Sequence, residues 1–327
     1  MVTIVQVAEK AGVSPSYVSR YLNHSGKVSE ESQQRIEKAI QELNYVPSRI
    51  ARSLRTGTTN AVKIISPSIT SPFFAEIFER IHRLLEKRNY DTSMQLVTSK
   101  SIFQPSSFAD VDGVIMCFID SDETVCTLGN ILNSIGKPFA YMHWHMIPAY
   151  SGALTFDLQG GAEQTARHLL ERGCRSIAYV DGPRDNVICT ARYLGYCTAV
   201  PNENRAQNFF NSFNIDCGYK AAAEMVKSDR MPDGVVCGND MIAAGVIKCL
   251  RNENIDVPGS VKVTGFDDIP LASMYSPSIT SFAMPISQMT AAVVNTLLSM
   301  MEGNTPPPQH FCGALIPRES TQASRPA

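Results

Sequence analysis

The N-terminal residues best equipped for chemistry are Ser16 and Arg20, four apart in the segment PSYVSRYL. At that spacing they share one face of a helix, and a guanidinium so placed can hold a guanine through two hydrogen bonds in the major groove. An isolated arginine would read as a solvated surface charge; the surrounding motif reverses that reading. A second pair, His143 and His145, alternates along a β-rich run and points to one side of a strand. The two rings could bind a metal, but no third ligand stands at a suitable spacing, so no metal site is expected. The chain lacks G-x-G-x-x-G after a strand, G-x-x-x-x-G-K-[ST], H-E-x-x-H and G-x-S-x-G. Neither a catalytic centre nor a cofactor is therefore expected.

The elements that must position Ser16 and Arg20 begin at Thr3, which with Gln6 forms a capping box and starts a helix at Ile4. Ile4, Ala8 and Ala11 share its inner face, and Gly12 supplies the left-handed residue that ends it. Ser14 as N-cap and Pro15 as first residue open a second helix, with Val18 and Leu22 inward and Ser16, Tyr17, Ser19 and Arg20 outward. A third runs from a cap at Ser29 to about Asn44, with Glu30 and Glu31 at its positive end and an apolar stripe of Ile36, Ala39, Ile40 and Leu43. Three short, tightly turned helices make a helix-turn-helix, whose second helix presents its N-terminal side chains to base edges.

Beyond the linker Thr56–Thr59 the chain alternates strand-like and helical runs, as βαβ units of a parallel sheet do. AVKIIS, TSMQLV, DGVIMCFI, KPFAYMHW, ALTFD, SIAYVDG, GVVCG and VKVTGFDD read as strands. Helices are expected from Ser71 to about Asn89, near Leu128–Ser134, over Gly160–Arg172 and over Met241–Asn252. At 327 residues, two or three domains are expected. No apolar run approaches the roughly 18 residues of a membrane span. The start, MVTIVQVAEK, lacks the features of a signal peptide, so a cytoplasmic protein with no membrane partner is expected. Nine cysteines, an odd count without C-x-x-C spacing, read as buried free thiols. Residues 1–60 carry 8 Lys and Arg against 5 Asp and Glu, the remainder 21 against 26. A basic head on an acidic body suits nucleic-acid binding by the head alone.

VAEKAGVSPSYVSRYLN, followed by VSEESQQRIEKAIQELNYVPSRIARSLRTG, resembles the headpiece of the LacI/GalR regulators. The resemblance implies a helix-turn-helix domain over 1–46, a hinge helix and linker over 47–59, and an effector-binding and dimerisation domain over 60–327. It implies DNA contacts from Thr3, Ser14, Pro15, Ser16, Tyr17, Ser19, Arg20, Asn23, Ser29, Ser48, Ala51 and Leu54. Tyr45, Pro47 and Ser48 would introduce a hinge helix, Arg49 to Arg55, whose Leu54 wedges into the minor groove beside its twin in a homodimer on a pseudo-palindromic operator. Such a segment is too short to be helical alone, and its three arginines repel until phosphates neutralise them, so its folding is coupled to DNA. The wedge kinks the duplex at a cost of a few kcal/mol. Pro15, which has no polar side chain, stands where relatives vary to choose operators; Tyr17 replaces a usual Thr and Ser48 a usual Asn.

The body resembles the periplasmic-binding-protein type 1 sensor of the same regulators, an α/β fold of two Rossmann-like lobes closing over a ligand. SPFFAEI, TFDLQGG, HLLERGCRSIAYVDGP, ARYLGY, CGND, VTGFDDIPLASMYSPSITSF and PRESTQ carry that resemblance. It implies an effector site of Phe73, Arg192, Asn239 and Asp267, with His143 where many relatives have an aspartate and Leu158 where they offer an amide. Vicinal hydroxyls suit Asp, Asn and Arg, and Phe73 would cover the apolar face of a ring, so a sugar or sugar derivative is expected. Alternatively, Asp267 and Asp268 cap a helix, Arg192 is a solvated charge and Asn239 stabilises a turn. Trp144, the only tryptophan, could stack on the ligand or pack between lobes. Segments Thr98–Asp110 and Pro201–Asn214 are short for this architecture, and no leucine heptads follow PRESTQASRPA, so a dimer rather than a tetramer is expected. An enzyme and a transport binding protein are the rival classes; the first lacks a catalytic motif, and the second would carry a signal peptide in place of a helix-turn-helix.

Overall fold

In the computed structural model, residues 2–22, 26–45, 57–98 and 101–322 are described. The chain divides into two units, Met1–Thr59 and Asn60–Ala327. The first is built of α1 (Ile4–Ala11), α2 (Pro15–Leu22) and α3 (Glu30–Glu42). Both halves of the Thr3–Gln6 capping box form, and Gly12 closes α1 with φ of 66°. Ser14 Oγ accepts the Tyr17 amide at 3.3 Å and so caps α2. Val7, Ala8, Ala11, Val18, Ile36 and Ala39 form the core, with Ile4, Tyr17 and Leu22 packed at its edge. Tyr21 donates to Glu37 at 2.5 Å and Lys10 pairs with Glu42 at 2.7 Å, tying α2 and α1 to α3. Ser29 precedes α3 but its side chain caps nothing; its hydroxyl donates to Ser32 instead.

The second unit contains β1 (Ala61–Ser66), α4 (Pro72–Glu86), β2 (Asp91–Leu96), β3 (Gly113–Cys117), α5 (Asp122–Ser134), β4 (Phe139–His143) and β5 (Ala153–Phe156). Then follow α6 (Leu158–Glu171), β6 (Ile177–Asp181), α7 (Val187–Ala199), β7 (Arg205–Phe210), α8 (Ile215–Lys227), β8 (Gly234–Cys237), α9 (Asp240–Asn252) and β9 (Lys262–Asp267). The unit ends with α10 (Pro270–Met274), β10 (Thr280–Ala283), α11 (Ile286–Met301), β11 (Gln309–Phe311) and β12 (Ala314–Ile316). One sheet has the order β11-β5-β4-β3-β1-β2 and the other β12-β10-β9-β8-β6-β7. All pairings are parallel except β10 with β12. The central strands β3, β4 and β6 are buried at every position, as strands covered on both faces must be.

Along α4, Phe73, Ile77, Ile81 and Leu85 recur every fourth residue and all are buried, each burial contributing roughly 1.5–3 kcal/mol. Helices α8 and α9 pack backbone to backbone. A Cβ at Gly218 would overlap the Ile242 carbonyl, and one at Gly245 the Ile215 carbonyl, so each helix needs its glycine facing the other. Segment 101–110 contributes only a short 3₁₀ turn, Pro105–Phe108, and 201–214 contains the edge strand β7. The chain passes between lobes three times: after β5, after β10 and between β11 and β12.

Candidate functional site

On the first unit, Pro15, Ser16 and Arg20 are exposed on the face of α2 away from the core, with Ser14 at its start. Ser14 and Ser16 hydroxyls lie 2.8 Å apart. Tyr17 is half-buried against the core rather than wholly outward. Ser19, expected to face outward, is buried at 8% exposure because it falls on the α2 flank next to core residue Val18. Thr3 is exposed, although its hydroxyl already serves the α1 cap. Asn23, Ser48, Ala51 and Leu54, with the expected hinge helix, lie outside the described residues.

In the second unit a cavity of about 420 Å³ opens where both sheets present their carboxyl strand ends, the position that parallel sheets reserve for ligands. Phe73 and Phe74 from α4 and Phe118 beyond β3 supply an aromatic wall, with ring centroids 5.5–6.3 Å apart. Leu158, Met241 and Met284 extend it, while Asp120, Asn186, Arg192, Asn214, Asn239 and Asp267 supply polar groups. Phe118 holds φ of 49° and Asp267 φ of 95°, backbone conformations that side-chain-bearing residues adopt at a cost of about 1–3 kcal/mol.

Arg192 is buried and gives Nε and Nη2 to Asp181 at 3.2 and 3.1 Å. Asp181, wholly buried, also accepts from the Tyr179 hydroxyl at 2.6 Å and the Gly182 amide at 2.8 Å. A Cβ at Gly238 would overlap this carboxylate, so glycine there makes its room. Burial, the largest single influence, would lower the Arg192 pKa, but Asp181 first and then Cys189, Tyr179 and Asp267 together more than offset it and hold the guanidinium ionised beyond its ordinary range. The Arg192 guanidinium also lies 5.7 Å from the Phe213 ring and 5.4 Å from that of Phe266. Asn239 caps α9 through Oδ1 to the Ile242 amide at 2.8 Å, and its Nδ2 donates to Phe213 O at 3.2 Å. It therefore both stabilises a turn and lines the cavity. Asp267 receives no hydrogen bond among the described residues; burial, only partly offset by Arg192, pushes its carboxyl up to about 6. An acceptor left without a donor beside a guanidinium can take hydrogen bonds from hydroxyl groups.

Of the residues expected at this site, Phe73, Arg192, Asn239, Asp267 and Leu158 line the cavity and His143 does not. The His143 ring is buried against Trp144, centroids 3.6 Å apart, and its Nε2 meets Asp122 Oδ1 at 2.9 Å. Burial pulls its pKa down to about 4, against the opposing pull of Asp122. Trp144 likewise lines no part of the cavity and packs at the edge of a core cluster that runs from the first lobe to Phe266 and Phe282 of the second. Asp120, Asn186, Phe213 and Asn214 were missed, yet each follows a strand or opens a helix at the carboxyl edge. Asp268, instead of capping a helix, pairs with Arg318 of the PRESTQ segment at 2.6 Å.

Residues 3–48 match the profile described as bacterial regulatory proteins, lacI family, and 166–321 that described as a periplasmic binding protein-like domain. The ribose operon repressor of Halalkalibacterium halodurans is 30% identical over 92% of this chain and 91% of its own. The lac repressor dimer bound to operator and the anti-inducer ONPF superposes with a TM-score of 0.83, at 22% identity over 98% of this chain and 99% of that one. A LacI-family transcriptional regulator from Enterococcus faecalis with bound ribose gives 0.70, at 25% identity over 81% of this chain and 100% of that one.

Proposed function

The chain belongs to the lacI family of bacterial regulatory proteins, and from that membership we propose a transcriptional repressor working as a homodimer on a pseudo-palindromic operator in the cytoplasm. Its operator affinity is set by a small polyhydroxylated effector, a sugar or sugar derivative, held in the cavity of residues 60–327. The observation that carries the effector half is the donor-less Asp267 carboxylate beside Arg192, across from the Phe73, Phe74 and Phe118 wall. Vicinal hydroxyls donate to Asp267 and accept from Arg192 and Asn239, while an apolar ring face meets the phenyl groups. The ribose named for one curated relative and bound in one solved relative makes a pentose the first candidate.

In the headpiece, Arg20 and Ser16 read base edges, Pro15 gives an apolar contact, and Thr3, Ser14, Tyr17 and Ser29 meet the backbone. Buried Ser19 and His143 have no part in either contact set. Leu54 is the proposed wedge. We assign the protein no catalytic step: its cavity binds, and binding is its output. Closure of the lobes around an effector favours one arrangement of the dimer, so effector and operator alter each other's affinity by the same factor.

Selection of duplexes from a random library by the full-length protein, followed by a salt titration, tests the DNA half. A near-palindromic site whose affinity falls steeply with salt is expected; no enriched sequence, with or without a pool of sugars, overturns it. Calorimetric titration with ribose and a panel of pentoses and hexoses, on the parent and on Asp267→Ala, tests the effector half. Saturable binding that Asp267→Ala abolishes is expected, and equal binding by both refutes the assignment.

A further inference from the structure

The third ligand that the linear sequence did not offer to His143 and His145 comes from Asp122, at the first turn of α5. His143 Nε2 lies 2.9 Å from Asp122 Oδ1, and His145 Nε2 lies 3.0 Å from Asp122 Oδ2. One ligand atom from each of the three residues falls within 4.8 Å of the others. Two imidazoles and a carboxylate make the donor set of three-ligand sites for borderline divalent cations, which leave further positions to water. We propose that Asp122, His143 and His145 form a binding site for a divalent first-row transition cation, typified by Zn²⁺, outside the effector cavity.

Bonds of about 2.0–2.2 Å put tetrahedral ligands about 3.4 Å apart, so the cluster must open by a few tenths of an ångström. The site can do so on one side only. His143 is fixed in the core at 1% exposure, whereas Asp122 and His145 are half-exposed and free to adjust. His143 Nδ1, buried and without a partner, carries the proton once Nε2 binds metal. Lacking the usual second-sphere acceptor, the site is weaker than a structural zinc site by roughly 10–100-fold. Asp122 also ends the connection that carries Phe118 and Asp120 into the cavity. A cation there fixes the loop forming part of the cavity wall.

Trp144, the only tryptophan, touches the His143 ring and makes the site visible by fluorescence. Full-length protein, stripped with a chelator and desalted, is titrated with Zn²⁺ and with Co²⁺, a quencher. One equivalent per chain and a saturable change in tryptophan emission are expected, with affinity at least about tenfold weaker in His145→Ala and in Asp122→Asn. Both replaced side chains are half-exposed, and unchanged far-ultraviolet circular dichroism verifies folding. No saturable change in the parent, or parent-like affinity in both variants, overturns the site.

Discussion

Replacing Asp267 with asparagine removes the ionisable group from the cavity while keeping its size. Burial pushes this carboxyl up to about 6 in the folded protein, against about 3.9 in an unfolded chain. Below about pH 4 the group is protonated in both states and contributes nothing. Between about 4 and 6 the unfolded chain ionises while the folded one retains its proton, so stability falls as pH rises; above about 6 the loss is complete. A gap of about 2 in pKa corresponds to about 2.7 kcal/mol. Contact with cavity water screens part of that, leaving about 1–2 kcal/mol. Urea unfolding of the full-length protein at about pH 4 and about pH 7.5 measures it. Asp267→Asn should be more stable than the parent by about 1–2 kcal/mol at the higher pH and close to it at the lower. A variant less stable at about pH 7.5, or a difference independent of pH, refutes the reasoning that the site holds an unfavourably buried charge in readiness for its ligand.

Arg20→Ala should cost about 1–3 kcal/mol of discrimination at one base position of each half-site, measured by competition between operator variants. Asp181→Ala leaves the buried Arg192 without its counter-ion and should destabilise the second unit by about 3–5 kcal/mol, seen as a lower denaturation midpoint. Gly245→Ala drives a methyl group into the Ile215 carbonyl and should cost about 1–3 kcal/mol by parting α8 from α9, measured in the same unfolding experiment.

The headpiece was legible because its signals are local: Thr3 with Gln6, Gly12, and Ser14 with Pro15 each fix a boundary within a few residues. Ser19 was misread because a two-turn helix packed on two neighbours buries more than one narrow stripe. The central strands announced themselves as continuous apolar runs. β11 and β12, three residues each, could not, since their identity lies in partners more than 30 residues distant. Helices α7, α8, α10 and α11 and strands β7 and β10 also went unread. At the cavity, Asp120 and Asn186 were missed because only their place after a strand, and no motif, marks them. His143 was placed there by analogy, whereas its strand position turns the ring toward Asp122. The same contact explains the hidden metal ligand, because a residue 21 positions away in another βα turn leaves no spacing to recognise.

The three passages between lobes do more than connect. Phe156 pairs with Phe311 at the ends of β5 and β11, and Ala283 with Ala314 at β10 and β12, so the links emerge as neighbours from each sheet. In mechanical terms they act as parallel flexures, and three side-by-side links resist twist of one lobe against the other more than a single link would. They also interleave the chain, so neither lobe is a continuous stretch of it. C-terminal truncation past Gln309 therefore strips a strand from each sheet at once, and a fragment carrying one complete lobe alone can be obtained only by rejoining the chain in a different order.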